Sequence, residues 1–170
     1  MTFTNASKIY RAVGAEAVLT ESNDLRRYLT GFSTSFGYVI SDKNGSVFYT
    51  DARYLESAKA ALNGTEISVK EYGGNLTELL KDYKEIAVPV SRTLYPEYEK
   101  LKNLGLNVVD SSAAFDEAMA LKDGCELDNI KKACAITDKA FNDLLPRIKE
   151  GASENEIAAE LEYLMRRYGA

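Results

Sequence analysis

The sequence predicts a layered α/β domain over residues 1–120 followed by a two-helix tail over 121–170, and three observations carry that expectation. Short β-branched and aromatic runs alternate with amphipathic stretches through the first 120 residues, the pattern of strands covered by helices. Two of those runs, 37–41 (GYVIS) and 46–50 (SVFYT), flank Asp42-Lys43-Asn44-Gly45. Asn-Gly tolerates the left-handed conformations of a tight turn, so this is a strong hairpin signal. From about Glu126 the apolar positions instead step by three and four, the period of a helix.

Residues 5–12 (NASKIYRA) read as a first helix, with Ile9, Tyr10 and Val13 apolar and Gly14 as its stop. Ala17-Val18-Leu19-Thr20 is a short buried strand. Asn23, Asp24, Arg26 and Arg27 form a short polar helix or turn, its start pinned by the Asn23 side chain. Tyr28-Leu29-Thr30 leads to Gly31, a residue free to take positive φ. The loop Phe32-Ser33-Thr34-Ser35-Phe36 then mixes hydroxyls with two aromatics expected at the surface. After the hairpin, Asp51 stands where the N-cap of a helix over 52–62 belongs. Arg53 lies near a helix start, whose dipole disfavours a cation, so its charge pairs with a nearby carboxylate.

Residues 65–72 (TEISVKEY) alternate, Ile67 and Val69 facing one way, as in a half-buried strand. Gly73-Gly74 is a turn, and Asn75 or Thr77 caps a helix through Tyr83. Residues 86–90 form a strand whose Pro89 lacks a ladder donor, which places it at an edge or at the strand's end. Pro96 suits the first turn of a helix ending near Leu104. Residues 107–110 are a last strand, and Ser111 or Ser112 opens a helix through Met119. In the tail, Leu127, Ile130, Cys134, Thr137, Phe141, Leu144 and Ile148 make one stripe, interrupted by Pro146. Ser153-x-x-Glu156 is a capping box opening a helix with Ile157, Leu161, Leu164 and Met165 inward. At about 25 cal/mol per Å² of apolar area, stripes left in water are costly. The tail is therefore expected to fold back as a hairpin or to pack against a second chain.

Composition excludes several functions. The chain has 170 residues, a net charge of −5 and no histidine. Without imidazole there is no Ser-His-Asp or Cys-His pair and no histidine metal ligand. The basic residues are scattered, whereas phosphate-neutralising proteins cluster them on one face, so no nucleic-acid partner is expected. No run approaches the ~18 apolar residues of a membrane span, and the start lacks a signal peptide's basic and apolar text, which makes the cytoplasm the expected compartment. Cys125 and Cys134, nine apart, fall on opposite sides of a helix and read as reduced thiols. The acidic residues of 150–162 are spaced like a solvated face.

The run Asn23, Tyr28-Leu29-Thr30-Gly31-Phe32, Ser33/Ser35, then Thr50-Asp51-x-Arg53-Tyr54 resembles the N-terminal domain of the creatinase, prolidase and aminopeptidase P family, with Ala52 where that family has glycine. Residues 122–140 and 149–170 are similar to the first two helices of the family's catalytic domain, so the resemblance covers nearly the whole chain. It implies a three-layer arrangement: a mixed six-stranded sheet with helices on both faces, in a ribonuclease-H-like layout. It implies a parent that is an Xaa-Pro peptidase acting on proline-containing peptides, with two divalent ions (Mn, Co or Zn) activating water. The family's metal-binding Asp, His and Glu residues come from strands beyond Ala170, so this chain is expected to hold no metal, no other cofactor and no catalytic residue, and to be inactive alone.

The resemblance also implies a homo-oligomer, with a dimer expected, in which the loop of Phe32, Ser33, Thr34 and Ser35 leans over the partner's active site and restricts the peptides that enter. Asn23, Tyr28, Gly31, Asp51, Arg53 and Tyr54 are then the structural motif around that loop. A guanidinium fork also matches a peptide's terminal carboxylate, which leaves Arg53 a second reading. The alternative for the whole chain is a free-standing peptide-binding or interaction module.

Overall fold

The computed structural model describes residues 5–170. Two units divide the chain, one ending at Ala120 and the other spanning Leu121–Ala170. In the first, α1 (Asn5–Val13), β1 (Ala17–Thr20) and α2 (Asn23–Thr30) precede a hairpin of β2 (Tyr38–Asp42) and β3 (Gly45–Thr50). Next come α3 (Leu55–Ala61), β4 (Ile67–Glu71), α4 (Leu76–Leu80), β5 (Glu85–Val88), a 3-10 turn at Val90–Arg92, α5 (Tyr95–Asn103), β6 (Asn107–Asp110) and α6 (Ser112–Ala120).

The six strands form one sheet in the order β4-β3-β2-β1-β5-β6. β2 is antiparallel to both β1 and β3, while the pairs β3–β4, β1–β5 and β5–β6 are parallel. Five strands therefore run one way and β2 the other. Side chains alternate across the pleat, so each face has its own core. Val18, Val39, Phe48 and Ala87 meet Ile9 of α1, Leu25 and Leu29 of α2, Ala58 of α3 and Phe115 of α6. Leu19, Tyr38, Ile40, Ile86 and Val88 meet Leu76 and Leu80 of α4 and Leu101 of α5 on the other face. This is the three-layer α/β arrangement expected, with a mixed sheet.

The hairpin register pairs Asp42 with Gly45, leaving Lys43-Asn44 as the loop. Asn44 does not adopt the left-handed conformation expected of Asn-Gly: Gly45, at φ 125°, carries the positive φ, and the Asp42 carboxylate accepts the Asn44 N–H at 2.7 Å. Pro89 follows the last residue of β5, an interior strand, and so lies at the strand's end. Asn75 is the α4 cap, accepting from the Glu78 N–H at 3.2 Å, but the helix stops at Leu80 instead of reaching Tyr83. Asp51 is not a helix cap. Tyr54 occupies that position and the helix starts at Leu55, because the Asp51 carboxylate is already taken by the N–H and side chain of Arg53 in the turn before it.

In the Leu121–Ala170 unit, α7 (Gly124–Leu144) and α8 (Glu154–Arg167) are joined through a 3-10 turn at Leu145–Arg147 that contains Pro146. Both helices open with reciprocal capping boxes, Asp123 with Glu126 and Ser153 with Glu156. They pack as a hairpin around Ala140, Leu144 and Leu164, with Ile157, Leu161, Met165 and Tyr168 alongside. Tyr168 is further held by a hydrogen bond to Asp143 and by Lys139 over its ring. Of the expected apolar stripe only Leu144 is buried; Leu127, Ile130, Phe141 and Ile148 remain about half exposed. Cys125 and Cys134 are free and exposed.

Candidate functional site

Because five strands point the same way, the segments after β1, β3, β4, β5 and β6, together with 31–37 leading into β2, gather at one edge of the sheet. In open α/β sheets, ligands bind outside the carboxyl ends of the strands. The loop singled out from the sequence lies at that edge.

Its base is built by α2. Gly31 caps that helix in the left-handed region, at φ 65°, its N–H donating to the Arg27 carbonyl at 2.7 Å. The freedom of glycine is thus spent in a fixed cap. The Thr30 hydroxyl donates to the Arg26 carbonyl at 2.7 Å and accepts the Phe32 N–H at 3.1 Å. Tyr28 reaches α6, donating to the Ala118 carbonyl at 2.9 Å. Asn23, at the start of α2, accepts from Arg26 at 3.3 Å.

The two aromatics expected at the surface are half-buried on opposite faces of the sheet. Phe32 packs on the core containing Leu25, Leu29 and Phe48. Phe36 packs on the other core and joins Tyr38 and Tyr72, with ring centroids 5.2 to 5.6 Å apart. Ser33 and Ser35 are exposed, but Thr34 between them is buried, and its hydroxyl has no partner among the described residues. The three side chains thus alternate exposed, buried, exposed along the loop.

Beyond the loop, Asp51, Arg53, Tyr54 and Ser35 form one exposed network. Arg53 donates to Asp51 through Nε and Nη2, at 3.1 and 2.8 Å, and lies 5.2 Å from the Tyr54 ring centre. That hydrogen bonding holds the Asp51 carboxyl below its ordinary pKa. Tyr54 meets the Ser35 hydroxyl at 3.0 Å, a contact that lowers its phenol pKa. Asp51 engages Nε and Nη2 of Arg53, whose side chain stays 68% exposed.

Arg26 is the residue that sequence reasoning missed. Assigned to a polar helix or turn, it is instead only 4% exposed. Its Nη1 donates to the Glu21 and Gly37 carbonyls, the latter at 2.9 Å. Its Nη2 donates to the Thr34 carbonyl at 2.8 Å and to Asn23. Burial lowers its pKa, opposed by the nearby Glu21 charge. Gly37 was also missed as more than a strand residue: at φ 149°, an added Cβ would lie 2.6 Å from the Tyr49 carbonyl oxygen and 2.7 Å from the Phe48 ring. Next to this group, Glu21 edges a recess floored by Leu19, Leu76, Val88 and Leu101, with about 10 Å³ of open space, room for about one water. Burial and then the Glu97 charge raise the Glu21 pKa.

Among the described residues, no three His, Cys, Asp or Glu side chains are grouped to hold a metal ion. Asp51 is engaged by Arg53 and Asp110 by Ser112 and the Val90 N–H, and with no three donors grouped, the described residues do not fit a two-metal centre; no chemical step is assigned to one here.

Residues 4–118 match the creatinase/prolidase N-terminal domain and residues 128–170 match metallopeptidase family M24; the chain belongs to the creatinase/prolidase N-terminal domain family. It is 30% identical to the uncharacterized peptidase YqhT of Bacillus subtilis, over 95% of this chain and 48% of that protein. It is also 30% identical to an Xaa-Pro dipeptidase of Pyrococcus horikoshii, over 91% of this chain and 44% of that protein. The solved Xaa-Pro dipeptidase from Bacillus anthracis superposes with a TM-score of 0.87 at 27% identity, over 98% of this chain and 49% of that one. The chain spans about half the length of these relatives. Among the described residues, no helix is long and apolar enough to cross a membrane.

Proposed function

We propose that this chain is the non-catalytic front portion of an Xaa-Pro metallopeptidase and forms one wall of the substrate entrance. The observation that carries this reading is the pairing of two facts: the chain matches the leading half of Xaa-Pro dipeptidases almost end to end, and among the described residues no donors are grouped to hold a metal ion. Water activation by two divalent ions (Mn, Co or Zn) then belongs to the part of the protein beyond Ala170. The loop of Phe32, Ser33, Thr34 and Ser35 faces the entrance of a partner subunit's active site in a cytoplasmic homodimer. The half-exposed face of Leu127, Ile130 and Phe141 is apolar area that the rest of the protein covers.

The test compares this 170-residue chain with the longer gene product on Xaa-Pro dipeptides in the presence of manganese or cobalt. Hydrolysis is expected from the longer protein and not from this chain. In the longer protein, Phe32→Ala with Ser33→Ala is expected to change the ratio of kcat/KM between peptides about tenfold, the size of a lost apolar contact. Turnover by this chain alone, or unchanged selectivity in that variant, overturns the reading.

A further inference from the structure

We propose that Arg26 is a positioning residue that holds 31–37 as a preformed wall, so that the loop selects peptides by fixed shape instead of closing over them. The inference rests on the reading of this loop as an entrance wall.

A guanidinium this deeply buried has lost its water, and among the described residues no carboxylate pairs with it within salt-bridge distance. An unpaired buried charge is costly unless hydrogen bonds replace the lost solvation. Here three backbone carbonyls and one side-chain amide do so at Nη1 and Nη2, from two separate segments, 21–23 and 34–37, while the buried Nε has no partner among the described residues. Hydrogen bonds from a charged donor are the stronger class, and only a planar fork spans both segments at once. The remaining anchors act in the same direction. Gly31 is fixed as a helix cap, Thr50 donates to the Phe36 carbonyl at 3.1 Å, Gly37 is wedged between Phe48 and Tyr49, and Tyr54 meets Ser35 at the crest. Phe32 and Phe36 root the loop in two different cores. A segment held at this many points has no slack for a closing motion. A wall already in its working shape spares binding the entropy of ordering it.

The experiment follows loop order and peptide kinetics together. In the unaltered 170-residue chain, backbone order parameters over 31–37 are expected near ~0.85, the value of rigid backbone; values below ~0.6 there overturn the proposal without any variant. Arg26→Lys keeps the charge and loses the fork. Amide exchange in 31–37 is expected to quicken about tenfold in that variant, while amides of β1 and β5 keep their rates. Equal loop exchange in both proteins overturns the proposal. In the longer peptidase, the same substitution is expected to raise KM for Xaa-Pro dipeptides about tenfold with kcat unchanged. A loosened loop with unchanged KM and selectivity also overturns it, and locates the failure in the wall reading and not in the clamp.

Discussion

In the sheet unit, Leu25, Phe48, Ile86 and Phe115 are fully enclosed because helices cover both faces. In the Leu121–Ala170 unit, the buried cluster is Ala140, Leu144 and Leu164, and Leu127, Ile130 and Phe141 stay about half exposed. The sequence patterns of the two regions are equally apolar; their difference is the number of layers available. A sheet with two helical layers closes two cores, whereas two helices bury one seam and leave their outer faces open. Local caps must carry more of the tail's stability, and both tail helices begin with complete capping boxes.

The sharpest test of this contrast is Phe48→Ala, expected to destabilise the sheet unit by about 3–5 kcal/mol, the usual cost of emptying a closed aromatic site, read by urea unfolding. Gly37→Ala comes next. Its Cβ meets a carbonyl and an aromatic ring that cannot both yield, in a backbone region that side chains rarely adopt; a loss of about 2 kcal/mol or more is expected in the same measurement. Leu164→Ala, in the thinner seam, is expected to cost about 2 kcal/mol and to speed amide exchange within 121–170 alone. Equal acceleration in the sheet strands would break the comparison by making the two units one cooperative block.

The smallest effect expected is electrostatic. Folding raises the Glu21 pKa through burial and the Glu97 charge, so the folded protein holds that proton more tightly than the unfolded chain. The resulting stability is full below the unfolded value of 4.5 and is lost as pH rises through the folded value. Urea midpoints measured upward from pH 4 should therefore fall less steeply in Glu21→Gln than in the parent chain. Identical slopes would show that Glu21 is solvated in the folded protein.

Much of this was legible residue by residue. The Ser153 capping box and the strand text of 17–20 and 65–72 follow from local preferences that tertiary contacts did not override, and the hairpin forms where expected although only Gly45 of Asn44-Gly45 takes a positive φ. The candidate site was less legible. Asp51 has the residue type of an N-cap, but a competing partner two positions along captured its carboxylate. Arg26 sits in a polar run, and only the convergence of carbonyls eight and eleven residues away makes its burial tolerable. A signal did exist: two adjacent arginines before an apolar pair, one of which must fall on the helix face carrying Leu25 and Leu29.

What the sequence determined by itself was the succession of elements and the absence of histidine chemistry, since periodicity, caps and composition are properties of neighbours along the chain. The tertiary structure decided which way Phe32, Thr34 and Phe36 face, which carbonyls Arg26 serves and how much of the tail's stripe is covered. Those outcomes depend on groups far apart in sequence competing for the same space and the same hydrogen bonds, and that competition takes place only once the sheet has assembled.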